Sequence, residues 1–505
     1  MAKSIMVQGT MSGVGKSMLT AALCRIFRQD GYRTAPFKSQ NMALNSFVTG
    51  DGLEMGRAQA VQAYAAGKEP DVRMNPILLK PESETGSQVI VNGRIFGNYQ
   101  AADYFRIKKQ LVPVILEAYE SLAAENDLIV IEGAGSPAEI NLKKDDIVNM
   151  GLAAMVDAKV LLVGDINPGG VFGQLYGTFM LLPPVERERV AGFIMNKFRG
   201  DVTLLEPGLS ELTALTGIPV LGVVPYTDIG LLQEDSLSEE LLQETHGKPI
   251  DIAVIRLPYI SNYTDFTPLL ASGQMGIRYV RTPKELGRPD LLIIPGSKST
   301  MADLRWLRDS GLARSVLALS ENGTDIFGIC GGYQMLGLSL YDPQTGEREE
   351  GLSLLPVDTV FQKEKTTELS EGTILAPPFQ GTAIRGYEIH TGQTELSDRA
   401  EKDGTKPVLS LQTADGVRQD GFYRNNIFGT YLHGIFENGA FVRKMEELYL
   451  KRRGLWTESS DLSATGALDF RDSQEAALEA LAADVRKSLC MEKIYQAAGL
   501  QGEGS

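Results

Sequence analysis

The residues best suited to chemistry fall in two stretches. In DIFGICGGYQML (325–336) a lone Cys330 follows an apolar run, with Gly328, Gly331 and Gly332 around it. Glycine, any residue, nucleophile, any residue, glycine is the pattern of a nucleophile on a strained strand-to-helix turn. A helix N-terminus at that point favours thiolate over thiol. The competing reading is a buried, inert cysteine. A thiol nucleophile needs a base, and the chain holds three histidines, His246, His390 and His433. His433 ends the apolar run of GTYLHGIF and is the residue expected to take the thiol proton. LLIIPGSKST ends another apolar run at Gly296-Ser-Lys298. Its backbone N–H groups, with that of Gly331, are expected to form an oxyanion hole.

The second stretch is IMVQGTMSGVGKSML (5–19). An apolar strand runs into Gly9, Gly13, Gly15, Lys16 and Ser17, and Leu19, Leu23, Ile26 and Phe27 follow at helical spacing. The loop is one residue longer than the usual phosphate loop, and Thr10 holds a position where glycine is expected. Glycines let successive N–H groups turn inward onto phosphate oxygens. Thr10, Gly13, Gly15, Lys16 and Ser17 are therefore the expected nucleotide site, with Lys16 on the outer phosphates and Ser17 on Mg²⁺. Glu132 ends the apolar run LIVIEGAG, where it is either a second magnesium ligand or a salt-bridged structural carboxylate. Asn196 ends VAGFIMNK and either reads a nucleobase or is a plain turn residue.

The elements that must position these residues alternate. Short apolar runs and longer helix-like stretches repeat through the first half, which predicts buried parallel strands with crossover helices. The acidic, polar stretch 234–249 interrupts the rhythm and is read as a linker, and a second strand series begins at IDIAVIRLP. Two α/β domains are expected, 1–233 and 250–505, which suits a length of 505 residues. The tail puts Leu478, Leu481, Val485 and Leu489 on one helical face, with Asp472 and Glu475 at its start. A net charge of −15 argues against nucleic acid as a partner. Three scattered cysteines suit a reducing cytoplasm, and no signal-peptide pattern or membrane-spanning run is seen.

Several of these stretches resemble known families. The long loop resembles dethiobiotin synthetase and its relatives, which use ATP to activate a carboxylate and carry a lysine after the second strand; Lys38 in APFKSQNM stands at the matching place. The related partitioning-type ATPases carry an early loop lysine, where this chain has Thr10, Met11 and Ser12. PGS, GICGGYQ and LHG resemble the class I glutamine amidotransferase domain, which hydrolyses glutamine through a cysteinyl thioester. Most members have a carboxylate two residues after the histidine. Here Ile435 stands there and Glu437 has the wrong spacing, so a Cys–His dyad without a third group is expected.

PFKSQNMALNS, EMGRAQA, RMNPILLKP, GSQVIVNG, GYEIHTG and YLHGIFEN together resemble the adenosylcobyric acid synthase family of cobalamin biosynthesis. One departure is Pro168, where that family usually has arginine. The resemblance implies a dethiobiotin-synthetase-like phosphate-loop domain followed by a class I amidotransferase-like domain. It implies ATP- and glutamine-dependent amidation of the b, d, e and g carboxylates of adenosylcobyrinic acid a,c-diamide. ATP and Mg²⁺ are the implied cofactors, with no bound prosthetic group; oligomeric state is left open. Glu54 is implied as an aid to the metal. Lys38, Gln40, Asn41, Asn75 and Lys80 are implied on the substrate side, and His390 either joins them by lining the junction between the domains or makes a structural hydrogen bond. The nearest alternative is cobyrinic acid a,c-diamide synthase; a cell-wall amidase and a nucleotide-switched partner-binding ATPase stand further off.

Overall fold

The computed structural model describes residues 2–81, 86–227, 247–398, 404–413, 416–456 and 470–500. Most of the expected linker, 234–249, and His246 lie outside the described residues. The chain forms two compact units, Met1–Ser236 with Gln474–Ser505, and Leu237–Ser473.

The first unit is built on a six-stranded parallel sheet. Its order is Val220–Pro225, Val190–Phe198, Lys159–Asp165, Lys3–Gly9, Leu128–Glu132 and Thr34–Phe37. Ile5, Met6 and Val7 are fully buried, as are Leu128 to Ile131, because helices cover both faces. Lys3–Gly9 sits centrally, with Val7 in register with Glu132. The loop after Gly9 and the carboxylate of Glu132 therefore emerge side by side at the carboxyl ends of the strands, the usual ligand edge of such a sheet. The helix Lys16–Gln29 follows the loop and buries Leu19, Leu23, Ile26 and Phe27, as its spacing predicts. A separate four-stranded sheet, Gln40–Met42, Ile77–Pro81, Gly86–Val91 and Arg94–Gln100, was not foreseen from the sequence.

The tail helix forms as expected, but not where expected. Leu478, Leu481 and Val485 are buried in one cluster with Leu23, Ile26 and Phe27 of the first unit. Arg25 holds it through Glu475 and Glu479, both at 2.8 Å. The helix begins at Phe470, so Asp472 lies inside its first turn and Glu475 serves Arg25 rather than a cap. The sequence boundary that gave 250–505 to the second domain is thus corrected for the tail: its apolar stripe shows that a face is buried, but not against what.

The second unit carries an eleven-stranded sheet. Met275–Val280, Ile250–Ile255, Leu291–Ile294, Asp325–Ile329 and Ile427–Thr430 run parallel, and antiparallel strands extend the sheet beyond them. Asp325–Ile329 is buried throughout and delivers Cys330 to the carboxyl edge of the parallel half. Among the described residues no helix is long and apolar enough to cross a membrane.

Candidate functional site

At the nucleotide edge the chain turns through Gly13 and Gly15 with φ of 76° and 92°. Only glycine takes such angles without strain, and a Cβ on Gly15 would lie 2.1 Å from Asn196 Nδ2. Asn196 explains the contact: its amide donates to Val14 O (2.8 Å), while its buried Oδ1 has no partner among the described residues. Lys197 donates to Gly13 O (2.5 Å) and pairs with Asp165. Thr10 donates its backbone N–H to Val163 O and its hydroxyl to Gln174. Lys16 reaches back across the loop to Met11 O (3.0 Å). The expected nucleotide residues are thus brought together, with Asn196 bracing the loop from behind.

Glu132 is 1% exposed and collects four donors. Ser17 Oγ and Lys38 Nζ each lie 2.7 Å from Oε1; Gln62 and Gln59 donate to Oε2 at 2.5 and 3.4 Å. Burial pushes this carboxyl up, but the Lys38 charge and the hydrogen bonds from Lys38, Gln62 and Ser17 outweigh it and hold it below the usual range. It therefore stays an anion. Ser17 and Glu132 offer two adjacent hard oxygens, the donor type Mg²⁺ takes, so these residues fit the ion. Glu54 does not join them in this arrangement. It accepts from Lys80 (2.5 Å) and Ser46 (2.7 Å) in a buried cluster.

The other substrate-side residues divide. A cavity of about 470 Å³ opens beside the loop, lined by Met11 and Ser12, and Gln40 lines it too. Lys38, Asn41, Asn75 and Lys80 are buried with protein partners. Asn41 donates to Gln59, and Asn75 ties Gly56 to Lys38 O and Ile77 O. These four support the site's walls.

In the second unit Cys330 takes φ 49°, ψ −107°, the strained turn its glycines predict. A Cβ on Gly332 would sit 1.9 Å from Ile294 O, so glycine is what lets the following helix pack against the neighbouring strand. Cys330 is 8% exposed, its Sγ lies 3.9 Å from Ile389 O, and His433 is the neighbour that most favours its thiolate. Gly296 packs against the imidazole: a Cβ there would be 3.2 Å from His433 Cε1. One on Gly331 would be 2.8 Å from Ser297 N, so the two expected oxyanion segments do meet. Lys298 N–H is already given to Tyr259 O (2.9 Å) and drops out as a donor.

The expected two-residue arrangement is overturned. His433 Nδ1–H donates to Asp265 Oδ2 at 2.6 Å, with both side chains 1% exposed. Asp265 also accepts from the Gly434 N–H and from Tyr387 OH, and the Tyr387 ring stacks on His433. The third group comes from a turn 168 residues upstream rather than from beside the histidine. Nothing in NYTDFTP marks it, because the pairing exists only once the sheet has formed.

These neighbours set the charges. Burial alone would lower His433, but Asp265 and Cys330 raise it to about 10. Burial would raise Cys330, but His433, then His390 and the Gly331 N–H, hold it below the usual thiol range. Both shifts favour the thiolate–imidazolium form of the pair. The imidazolium's contribution to folding is complete below about pH 6.5 and is lost as pH rises through about 10. Cys24 is the contrast: burial and Glu132 push its thiol far up. His390 makes the structural contacts: Nδ1–H to Gly392 O (2.8 Å), Nε2 to Glu388 (3.2 Å), and a stack on Tyr431 at 3.7 Å.

A cysteine with a carboxylate-oriented imidazole and a phosphate loop with an adjacent buried carboxylate are groups suited to acyl transfer and phosphoryl transfer in one chain. Comparisons agree. Residues 5–235 match the CobQ/CobB/MinD/ParA nucleotide binding domain, and residues 251–441 match the CobB/CobQ-like glutamine amidotransferase domain. The class is a nucleotide-binding glutamine amidotransferase of α/β fold. The chain is 50% identical to a cobyric acid synthase of Lachnoclostridium phytofermentans, over 98% of this chain and 99% of that one. It is 51% identical to one of Ruminiclostridium cellulolyticum (98% and 97%) and 49% to one of Streptococcus sanguinis (98% and 99%). The chain belongs to the cobyric acid synthase family. It is a glutamine-hydrolysing carbon–nitrogen ligase.

Proposed function

We propose that the protein converts adenosylcobyrinic acid a,c-diamide to adenosylcobyric acid, amidating the b, d, e and g carboxylates with ATP and glutamine. The observation that carries this reading is the near-complete match to cobyric acid synthases, joined to a built thiol site and a built phosphate loop in the same chain.

In the amidotransferase unit, the Cys330 thiolate attacks the glutamine side-chain carbonyl. The oxyanion is met by backbone N–H groups near Gly331 and Gly296. His433 gives its proton to the departing nitrogen, and ammonia leaves. Water, deprotonated by His433, then attacks the thioester and frees glutamate and the thiolate. Asp265 keeps the imidazole in the orientation and tautomer that both steps need.

In the nucleotide unit, the loop N–H groups and Lys16 gather the ATP phosphates. A substrate carboxylate oxygen attacks the γ-phosphorus, ADP leaves, and an acyl phosphate forms. Ammonia then attacks the acyl carbon, an amide forms, and phosphate leaves. Ser17 and Glu132 would hold Mg²⁺, which supplies charge neutralisation on the phosphates. Lys38, beside Glu132, adds positive charge where carboxylate and phosphate meet.

The test is a product series. Purified protein is given adenosylcobyrinic acid a,c-diamide, ATP, Mg²⁺ and glutamine, and corrinoids are followed by mass spectrometry. A ladder of partly amidated species ending at the hexaamide is expected, since one site must take several carboxylates in turn. Turnover of unamidated cobyrinic acid to its diamide, with no reaction of the diamide, would transfer the assignment to cobyrinic acid a,c-diamide synthase.

A further inference from the structure

The cavity beside the phosphate loop holds a cation that the loop chemistry does not use. Lys108 lines it and is 7% exposed. Its ammonium lies over the Phe105 ring, 5.1 Å from the centre. Glu139 lines the same cavity, while Asp145 and Asp146 are otherwise engaged. Asp145 pairs with Lys109 at 2.8 Å, and Asp146 accepts from the N–H groups of Val148, Asn149 and Gly151. Among the described residues Lys108 therefore has no ion-pair partner in contact. A cation set into a largely apolar wall is costly unless an anion meets it. Burial accordingly lowers its pKa, with Asp146 and Asp145 opposing.

The rest of the cavity says what kind of anion. Met11 and Ser12 bring it to the phosphate loop. Met42, Phe105 and Leu142 line it and remain 56%, 47% and 45% exposed, an apolar rim gathered at one opening. An apolar rim with a cation inside suits a broad hydrophobic ring that carries carboxylates at its edge. We propose that this cavity receives the edge of the corrin macrocycle bearing the carboxylate to be activated, and that Lys108 binds a second peripheral carboxylate of the same ring. The proposal rests on the corrinoid reading above. A lysine suits successive amidations, because a point charge on a flexible stem accepts carboxylates arriving from different directions.

The experiment uses the full-length chain, with corrinoid turnover measured at saturating ATP and glutamine. In Lys108→Met the corrinoid KM is expected to rise about tenfold, the size of one lost charge-assisted contact, while KM for ATP holds. Lys108→Arg should recover most of the loss. Met42→Glu, on the exposed rim, puts a like charge in the path of an anionic substrate and should raise the same constant; it decides alone if Lys108→Met does not fold. Unchanged corrinoid KM in the folded variants overturns the site and leaves the corrinoid reading standing. Failure of the unaltered protein to turn over any corrinoid overturns both.

Discussion

Replacing Cys330 with alanine is expected to abolish glutamine-dependent amidation and to leave amidation from high free ammonium intact. Of the three cysteines, Cys330 alone combines a strained turn, a histidine that favours its thiolate and a lowered thiol pKa. Cys24 is buried with a strongly raised pKa, and Cys490 lies in the tail that packs with the nucleotide unit. Neither can stand in. Loss of a covalent nucleophile from an intact site costs on the order of 10⁴-fold or more. The nucleotide unit holds its loop, Lys16 and Glu132 within itself, so the acyl phosphate should still form and ammonium should still trap it. The measurement is amide yield with each nitrogen source at matched ATP. Loss of both activities in folded protein would contradict the division of labour.

The second large effect is expected at Asp265. In Asp265→Asn the amide can donate to His433 Nδ1, which leaves the ring's proton on Nε2 facing the thiol. Glutaminase activity should fall by about 10²–10⁴-fold, the range of a lost base or a wrong tautomer. A pH readout separates this from simple damage. Asp265 raises His433, and the imidazolium in turn lowers Cys330. Without Asp265 the imidazole is neutral at lower pH, the thiolate loses its counter-charge, and the thiol pKa moves up. The pH profile of Cys330 alkylation, read by peptide mass, should therefore shift to higher pH. Near-wild-type glutaminase, or an unmoved alkylation profile, would show that Asp265 does not orient the base.

The contrast between Cys330 and Asp265 shows what a sequence carries. The phosphate loop is legible because its glycines, lysine and serine are contiguous and act through local backbone geometry. Glu132 and Cys330 are legible because a charge or a thiol at the end of an apolar strand has few bland explanations. Asp265 is not legible. Its role depends on a pairing across 168 residues, and local spacing pointed instead to an absent third group. Gln62 was missed for the same reason, since it reaches Glu132 from a helix 70 residues earlier. Lys38, Asn41, Asn75 and Lys80 were legible only through the family resemblance, and the folded chain adds that hydrogen bonds inside the protein engage each of them. The tail helix was legible as a helix, while its host unit was decided by Arg25 and the apolar cluster it completes.

The central claim is that the nucleotide unit joins phosphate to the substrate carboxylate before nitrogen arrives. Transfer of oxygen tests it most directly. Adenosylcobyrinic acid a,c-diamide with ¹⁸O in its free carboxylates is turned over with unlabelled ATP and glutamine, and the released phosphate is analysed by mass spectrometry. An acyl phosphate keeps a substrate oxygen on phosphorus when ammonia breaks the acyl C–O bond, so each amide formed should release one phosphate carrying one ¹⁸O. Phosphate without label, at normal amide yield, would mean that ATP is hydrolysed by water and that the carboxylate is never phosphorylated.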